Sequence, residues 1–387
     1  MLLFQDQSPT INISTETYIY IMKIECNKNK LLKAISKADK VVSKSASLPV
    51  LSCLVFEAKD GKLDIKATNL EIGLRISVTA KILKEGEVAI PSNILVSYIN
   101  SLGLDEDLLI ELKENVIFIS GSKSETKINT LPVTDFPTIP STSSDHACKI
   151  SSKELVDGLK AVWYAASVTS MKPELSSVYI YPNQTGLIFV ATDSFRLAEK
   201  KIRIKTDNFE SMLIPQRNIN EIIRVFDDYD SDIKINFEED KASFSIDESI
   251  YLVSRVIDGN FPDYEQIIPK ENTTEVTVLK NDLQNTLKTS NLFSNNFNQV
   301  NFNIDSVNGA FEVLSKNAEK GESRNNISNT IRGESLDINF NQKYINDSFS
   351  SISSESILMS FNGSGKPMVI KGINDESFRY LVMPLNK

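Results

Sequence analysis

The chain is poor in the residues from which metal sites and disulfides are built. Its 387 residues include one histidine, His146, and three cysteines, Cys26, Cys53 and Cys148, with no Cys-x-x-Cys pair. A lone histidine cannot build a histidine-based metal site, and an odd cysteine count without close pairs predicts neither a disulfide framework nor a zinc knuckle. We therefore expect free cysteines, a reducing cytoplasmic location, and no metal or other cofactor.

Sequence motifs of catalysis and of membrane insertion are missing as well. The chain has no phosphate-binding glycine loop, nucleophile elbow or zinc-protease motif, and no apolar run as long as a membrane span. Its acidic pairs lie in loops, where solvated surface is the simplest interpretation, and Asp193 in ATDSFRLA is expected to be a turn or cap residue. The sequence predicts a protein that is not an enzyme.

The bulk composition is that of an ordinary globular protein. The chain is 41% hydrophobic and 24% charged, and its length predicts two or three domains. A formal charge of −9, from 42 basic and 51 acidic residues, argues at face value against an acidic partner such as nucleic acid. The distribution of the charges matters more than this total.

Internal repetition organises most of the chain. Four landmarks recur at a nearly constant distance: Pro49 and Pro173, Thr68 and Thr192, and Pro91 and Pro215 are 124 residues apart, and Pro137 and Pro262 are 125 apart. Hairpin-like segments that turn at Gly61, Gly186 and Gly309 add a fainter third copy. We therefore divide the chain into an N-terminal extension, 1–21, and three repeats, 22–146, 147–270 and 271–387.

Each repeat predicts the same α+β unit of two helices and an antiparallel sheet. The apolar periodicity places the first helices at 28–44, 151–170 and 280–294 and the second helices at 92–102, 216–228 and 341–353. Ser151 and Asn281 are the expected N-caps of two of them. Alternating segments such as KASFSIDESIYLVSRV predict the strands.

The first helix carries a stripe of lysines. Its members are Lys30, Lys33, Lys37, Lys40 and Lys44. At about 100° per residue these side chains share one face, opposite an apolar face that ends at Val42. Such a stripe fits either a solvated outer surface or a surface that binds an anionic polymer. Only Asp39 interrupts it, whereas a solvated helix usually mixes the two signs, and this favours the second interpretation.

Basic residues elsewhere extend this pattern. The equivalent first helices add Lys153, Lys160, Lys172, Lys280 and Lys288. Arg217 and Arg224 share one face of the helix that follows Pro215, while acidic residues cluster in loops and strands. Positive charge is therefore expected to be segregated on the helices, which allows one surface of an acidic protein to contact a duplex backbone.

Four motifs, in order, carry a family resemblance. SLPVL, ATDSFRLA, GNFPDYEQIIPK and a C-terminal YLVMPL, set in three α+β repeats, resemble the bacterial sliding clamps, the beta subunits of DNA polymerase III, from Met22 to Lys387. The resemblance implies a ring-shaped head-to-tail homodimer whose helices line a hole around duplex DNA. It implies a non-catalytic processivity factor, with sequence-independent DNA binding, no membrane contact, and polymerase and clamp-loader subunits that dock through short linear peptides.

The resemblance also implies a peptide pocket between the second and third domains. Its walls would be Leu175, Thr192, Phe195, Arg196, Leu197, Pro262, Gln266, Ile267, Phe297, Asn317, Met383, Pro384 and Leu385. Apolar side chains with one arginine near a chain terminus suit the anchoring of a peptide. For each apolar member, plain core packing is the alternative interpretation.

The resemblance further implies a DNA-facing set and two dimer contacts. The DNA-facing residues would be Lys30, Lys33, Lys37, Lys40, Lys44, Ser45, Asn93, Lys160, Lys172, Arg217 and Arg224. Ile128 and Leu292 would be apolar contacts where the edge strand of the first domain meets that of the third.

The sequence departs from the family pattern at several of these positions. Ser194 stands where glycine is usual, and Gln266 stands where many relatives are basic, which predicts weaker binding of acidic peptides. Ser45 and Asn93 replace residues that are often basic. These departures affect single contacts and leave the overall resemblance intact.

Two other functions are alternatives to the DNA-encircling clamp. A multidomain scaffold could bind peptides in the same pocket without encircling DNA. An enzyme on a repeated α+β fold is disfavoured by the missing catalytic motifs.

Overall fold

A computed structural model of the chain describes residues 21–43, 48–103, 105–142, 147–169, 171–206 and 209–385. The predicted N-terminal extension, apart from Ile21, lies outside these residues, as does His146. The described residues form two compact units: the first joins those up to Ala67 with those of Arg75–Pro137, and the second joins Thr68–Leu74 with those from Thr138 onward. Within the described ranges, every helix is too short or too polar to cross a membrane.

Within its described residues, the first repeat contains nine strands and two helices. They are β1 (Met22–Asn27), α1 (Lys28–Ala38), β2 (Cys53–Lys59), β3 (Lys62–Thr68), β4 (Ile72–Thr79), β5 (Lys81–Lys84), β6 (Gly86–Pro91), α2 (Ser92–Ser101), β7 (Asp107–Lys113), β8 (Val116–Ser120) and β9 (Glu125–Asn129). The second repeat follows the same order with one strand fewer between its two helices. It has β10 (Ala147–Ser151), α3 (Ser152–Val162), β11 (Ser177–Asn183), β12 (Gly186–Thr192), β13 (Arg196–Ile202), β14 (Met212–Pro215), α4 (Gln216–Phe226), β15 (Asp232–Glu238), β16 (Lys241–Ile246) and β17 (Ile250–Arg255).

The third repeat has the same order of strands and helices as the first. It has β18 (Thr274–Leu279), α5 (Lys280–Ser290), β19 (Gln299–Asp305), β20 (Ala310–Asn317), β21 (Gly321–Ile327), β22 (Asn329–Gly333), β23 (Leu336–Asn341), α6 (Gln342–Ser348), β24 (Ser356–Phe361), β25 (Met368–Gly372) and β26 (Phe378–Val382). The predicted α+β unit with two helices is confirmed in all three repeats.

Several helices end earlier than the apolar periodicity predicted. α1 ends at Ala38, because the N–H groups of Lys40 and Val41 bond to carbonyls three residues back instead of four. Short 3-10 turns at Trp163–Ala165, Asn291–Phe293 and Phe349–Ser351 likewise continue α3, α5 and α6. A helical pattern in the sequence does not distinguish an α-helix from a 3-10 turn that extends it.

One predicted N-cap is confirmed and the other is wrong. The Ser151 hydroxyl accepts the Glu154 N–H, and the Glu154 carboxylate accepts the Ser151 N–H, which completes a capping box on α3. Asn281 is not a cap, because α5 already begins at Lys280 and its N-cap is Leu279. Asn27 and Asn341 cap α1 and α6 with their side chains, and the sequence analysis missed both.

The first unit is built on antiparallel sheet. Its five-stranded sheet has the order β5-β1-β7-β8-β9, so among the described residues β9 is an edge strand. β2 pairs with β3 and β6, and β2 and β3 are joined by a two-residue turn at Asp60-Gly61, where both φ angles are positive. This is the hairpin geometry that the Asp-Gly pair predicted.

The second unit contains the sheet that positions the candidate site. Nine strands run in the order β14-β11-β12-β13-β26-β25-β24-β18-β22, and the pairing of β13 with β26 joins the second repeat to the third. β12 is buried along its whole length, as expected of an interior strand. A separate four-stranded sheet, β21-β20-β19-β23, has β21 at one edge among the described residues.

One turn recurs at equivalent positions of the first two repeats. Thr68 and Thr192 each donate a hydroxyl hydrogen bond to the carbonyl four residues on, at 2.9 and 2.6 Å. The next residues, Asn69 and Asp193, accept the N–H groups two and three positions further along. Asn317 makes the same two bonds in the third repeat. Asp193 is therefore a turn residue, as predicted.

This turn forces an unusual backbone angle on the residue after the Asn or Asp in the first two repeats. Leu70 and Ser194 both have φ of 76°. That region is disfavoured for residues with a Cβ atom and is open to glycine. The local geometry thus explains why glycine is usual at the position of Ser194.

We expect Ser194→Gly and Leu70→Gly each to raise the free energy of unfolding by about 0.5–1 kcal/mol. Relief of the left-handed strain should exceed the entropy that glycine adds to the unfolded chain. Urea unfolding followed by circular dichroism measures the change. Ser194→Ala keeps the Cβ atom and should give no gain, so equal stabilisation by alanine would contradict the strain argument.

Candidate functional site

The site is built around the junction of β13 and β26. Arg196 lies opposite Val382, Leu197 opposite Leu381 and Glu199 opposite Arg379. Leu197 and Leu381 pack with Val190 and Tyr264 in a buried cluster. The junction is therefore held by ladder hydrogen bonds and by apolar contact on this face.

A buried charge lies within this junction. The Glu199 side chain is 1% exposed, and its Oε2 accepts hydrogen bonds from Arg379 Nη2 and from the Tyr264 hydroxyl, both at 2.6 Å. A hydrogen bond of 2.7 Å links the hydroxyls of Tyr264 and Tyr181. Burial raises the pKa of Tyr264, and the neighbouring Glu199 charge raises it further, so this phenol stays neutral and serves as a donor.

Arg196 forms a second charged cluster beside the junction. We call it the Arg196 cluster, and its members are Tyr164, Asp193, Arg196, Tyr344 and Asp347. Arg196 Nε lies 3.0 Å from Asp193 Oδ2, and its Nη1 bonds to Asp347 Oδ2. The guanidinium lies over the Tyr344 ring at 4.6 Å and over the Tyr164 ring at 6.0 Å. With its side chain 10% exposed, Arg196 is fixed in place.

The tyrosines of this cluster remain uncharged at physiological pH. Burial raises the pKa of Tyr164, which the Ser351 hydrogen bond and the Arg196 charge offset only in part. Burial and the Asp193 charge raise the pKa of Tyr344. The cluster therefore holds one cation between two carboxylates and carries a net negative charge.

Exposed apolar surface lies next to the Arg196 cluster. Phe195 is 60% exposed, and its carbonyl accepts the Met383 N–H at 2.8 Å. Further along the tail, the Leu385 N–H bonds to the Asn339 carbonyl at 2.8 Å. Met383, Pro384 and Leu385 are half-buried. The C-terminal segment thus runs beside an exposed phenylalanine.

Other predicted pocket residues lie around the same junction. Thr192 is buried and bonds to the Arg196 carbonyl. Three exposed residues flank Tyr264 in sequence: Pro262, Gln266 and Ile267. The ring of Tyr264 packs on Leu197. Gln266 Nε2 donates to Asp263 Oδ2 at 2.6 Å. The amide that replaces a basic residue here therefore has an acidic neighbour.

Three predicted pocket residues lie on other elements. Leu175 is buried before β11, and its N–H bonds to the Lys172 carbonyl. Phe297 is 73% exposed in the loop before β19. Asn317 ends β20, where it caps a turn and donates to the Ser294 carbonyl at 3.0 Å. These three residues thus lie in the turn before β11, in the loop before β19 and at the end of β20, and not on the paired strands of the junction.

Sequence reasoning missed the partners of Arg196. Asp347 and Tyr344 lie on α6, and Tyr164 lies in the 3-10 turn after α3. The sequence around them carries no motif, since each contributes through a contact with a residue far away in the chain. The aromatic character of Tyr164 and Tyr344 was the one available signal.

The predicted lysine stripe is interrupted in the structure. Lys30 and Lys33 are exposed on α1, but Lys37 is buried, at 9% exposure. Lys40 is exposed beyond the end of the helix, 3.5 Å from Asp39. The prediction of one continuous exposed face was wrong for two reasons: Lys37 is buried within α1 itself, and α1 ends at Ala38, before Lys40. Because the helix ends there, Val41, and not Val42, is the buried valine.

Two further members of the DNA-facing set, Lys44 and Ser45, lie outside the described residues. Asn93 is exposed at the second residue of α2 and lines a cleft with Asp39, Ser52 and Val96. Lys172 is exposed in a turn before β11 and not on a helix. The helical surface of the first repeat thus carries Lys30, Lys33 and Asn93.

Three of the four predicted DNA-facing cations of the second repeat have acidic partners. Lys160 is 2.6 Å from Asp227, Arg217 is 2.9 Å from Glu71, and Arg224 is 3.0 Å from Glu221. The charge segregation predicted from sequence is therefore incomplete. Exposed pairs of this kind contribute about 0–1 kcal/mol and exchange readily with other partners.

The two predicted dimer contacts differ in exposure. Leu292 is 66% exposed in the 3-10 turn after α5. Ile128 is 4% exposed, because its position in β9 points into the core of its own sheet between exposed neighbours. The edge of β9 therefore presents backbone groups and polar side chains.

Comparison with known proteins identifies the family. Sequence profiles of the DNA polymerase III beta subunit match residues 22–140 (N-terminal domain), 149–263 (central domain) and 265–386 (C-terminal domain). The beta sliding clamp of Synechococcus elongatus is 26% identical over 376 residues, which cover 94% of this chain and 99% of the relative.

Solved structures agree. The DNA polymerase III beta subunit from Thermotoga maritima superposes with a TM-score of 0.89 at 28% identity, covering 95% of this chain and 100% of that chain. A sliding clamp from Pseudomonas aeruginosa bound to griselimycin has a TM-score of 0.89 at 22% identity, with 95% and 100% covered. The resemblance inferred from the four motifs is confirmed: the chain belongs to the DNA polymerase III beta subunit family, the non-catalytic sliding clamps, and has three α+β clamp domains.

Proposed function

We propose that the chain forms a head-to-tail homodimeric ring around duplex DNA and tethers the replicative polymerase and other DNA-processing proteins. The observation that carries this proposal is the match of all three clamp domains, in order, over residues 22–386. The domains are proposed to span 22–146, 147–270 and 271–387, with 1–21 as an extension. The polymerase and clamp-loader subunits are proposed to dock through short linear peptides.

Exposed cations on helices support the DNA contact. Lys30, Lys33, Lys160, Arg217 and Arg224 are all exposed on α1, α3 or α4. Those with acidic partners gain little from these pairs and can turn to phosphate oxygens. Contacts of this type position a protein on DNA without reading its sequence, as a clamp that slides requires.

The surface around Phe195 supports peptide docking. Exposed apolar side chains next to a fixed arginine suit the anchoring of a short peptide, and the C-terminal segment provides a backbone edge alongside. The net negative charge of the Arg196 cluster and Asp263 beside Gln266 both disfavour acidic anchors. We therefore propose peptides with apolar anchors that are not strongly acidic.

A peptide-binding scaffold that does not encircle DNA is the second candidate, and one experiment separates the two. Light scattering should give about twice 43.3 kDa, because two copies close the ring. With a clamp loader and ATP, the protein should be retained on nicked circular plasmid and lost when the plasmid is linearised. A monomer at micromolar concentration, or equal retention on both DNA forms, would contradict the ring.

Charge reversal at Lys30, Lys33 and Lys40 should weaken binding to linear duplex and lower the slope of log affinity against log salt by about 2–3. Each glutamate removes a cation that neutralises a phosphate. Electrophoretic mobility shifts at several salt concentrations measure the slope. Lys270→Glu with Lys366→Glu, two exposed loop lysines, is the control and should leave the slope unchanged. An equal effect of both sets would mean that only net charge matters.

Phe195→Ala should weaken peptide binding about tenfold, as expected for loss of an aromatic anchor surface. Griselimycin, which a relative binds, serves as the probe in isothermal titration. Truncation after Met383 should also weaken binding, and the protein should remain a dimer by light scattering. Val307→Ala removes an apolar side chain that is 88% exposed on a hairpin, and it should have no effect. Wild-type affinity in both Phe195→Ala and the truncation would contradict the pocket assignment.

A further inference from the structure

We propose that β9 of one copy pairs antiparallel with β21 of a second copy in a single register, with Glu125 opposite Arg324, Lys127 opposite Glu322 and Thr126 opposite Ser323. The proposal rests on the proposed homodimer and adds its register and its two ionic contacts. Its occupant is a second copy of this chain. The junction of β13 with β26 is the template for this pairing.

The counterpart of β13 in the third repeat is β21. Within the second repeat Thr192 lies opposite Leu197, and within the third Lys316 lies opposite Glu322. Thr192 and Lys316 are equivalent, since each precedes the residue that caps the recurring turn, Asp193 or Asn317. Glu322 therefore takes the place of Leu197. Two residues on, Arg324 takes the place of Glu199.

The counterpart of β26 in the first repeat is β9. β1 and β18 both end directly before a helix, which makes Ile24 and Val276 equivalent. From Ile24 the ladder runs through Ile110 and Ile119 to Thr126. From Val276 it runs through Met359 and Ile370 to Tyr380. Thr126 therefore takes the place of Tyr380, and Glu125 takes that of Arg379.

The template then fixes the register. Tyr380 lies opposite Ala198 and Arg379 opposite Glu199, which places Thr126 opposite Ser323 and Glu125 opposite Arg324. The faces agree with this placement. Glu125, Lys127, Glu322 and Arg324 are all exposed, whereas Thr126 and Ser323 are partly buried and share their faces with Ile128 and Ile327. In this register the exposed polar faces of the two strands meet, and so do the faces that share the side of the core.

The charges select this register over its neighbours. Opposite charges face each other at both exposed positions, and the first pair repeats the Glu199–Arg379 ion pair of the template with the signs exchanged. A shift by one residue turns every side chain to the wrong face. A shift by two places Glu125 opposite Glu322 and Lys127 opposite Lys320, or else Lys127 opposite Arg324. Each alternative brings like charges together.

The contacts that these charges make within one chain are weak enough to be shared. Glu322 lies 3.9 Å from Lys316, with both side chains more than half exposed. Arg324 lies 3.5 Å from Glu312 and is 62% exposed. Lys127 Nζ lies 5.0 Å from the centre of the Phe118 ring. A charge from the second copy would add to these contacts without displacing a buried ion pair.

Cysteine cross-linking tests the register directly. In the template the Lys201 N–H bonds to Ser377 and the Met383 N–H bonds to Phe195, so Ala198 and Tyr380 form a non-hydrogen-bonded pair. Such pairs have Cα atoms about 4.5 Å apart, within reach of a disulfide. Thr126→Cys with Ser323→Cys should give a dimer on non-reducing gels after mild oxidation. The three native cysteines are buried and leave this readout clear.

The matched control moves one cysteine along the same face. Thr126→Cys with Asn325→Cys places the Cα atoms about 7–8 Å apart in the proposed register, too far to bridge. Efficient cross-linking of this control in place of Thr126→Cys with Ser323→Cys would overturn the register. A wild-type monomer by light scattering would overturn the ring itself, whereas a wild-type dimer that fails to cross-link through Thr126→Cys and Ser323→Cys overturns the register alone.

Charge reversal tests the ionic contacts separately. Lys127→Glu and Glu322→Lys should each raise the dimer dissociation constant by about tenfold or more, because the head-to-tail dimer contains the contact twice. The double reversal should restore most of the wild-type value. Analytical ultracentrifugation at low and high salt measures the change. A double reversal as weak as the sum of the single ones would contradict the pairing of Lys127 with Glu322.

Discussion

The antiparallel pairing of β13 with β26 is the interaction on which the candidate site depends. It places Arg196, Leu197 and Glu199 on one strand, each with a defined neighbour from the third repeat. The carboxylate of Glu199 is almost fully buried and is tolerable only because Arg379 and Tyr264 both bond to it. A change in this register would leave that charge without its partners and would separate Phe195 from the C-terminal segment that bonds to it.

The repeat could be predicted from sequence because its landmarks serve local geometry. Thr192 and Asp193 recur as Thr68 and Asn69 since the turn that they form needs a hydroxyl and an Asn or Asp oxygen at those two positions. The Asp60-Gly61 hairpin and the Ser151 cap were predictable for the same reason. In each case the residue type and its hydrogen bond lie within a few positions in the chain.

The contacts of the site could not be predicted in this way, since they join distant segments. Arg196 meets Asp347 from α6 and Tyr164 from the turn after α3, and a single sequence carries no trace of either contact. Lys37 shows the limit of periodicity, because its burial depends on what packs against that side of the helix. The ion pair of Arg217 with Glu71 likewise joins residues 146 positions apart, and it escapes any estimate based on local charge patterns.

The same strand position is apolar where its partner lies in the same chain and charged where the edge is open. Leu197 and Ala198 of β13 are buried against β26, while their counterparts in β21 are Glu322 and Ser323. An exposed apolar edge would pair with any strand that it met, whereas a charged edge accepts only a partner with the complementary pattern. Glutamate in place of leucine at this position therefore disfavours pairing with unrelated strands and leaves the edge open to a complementary one. The difference between the second and third repeats is what the proposed homodimer requires, because its junctions between copies would close only with a second chain.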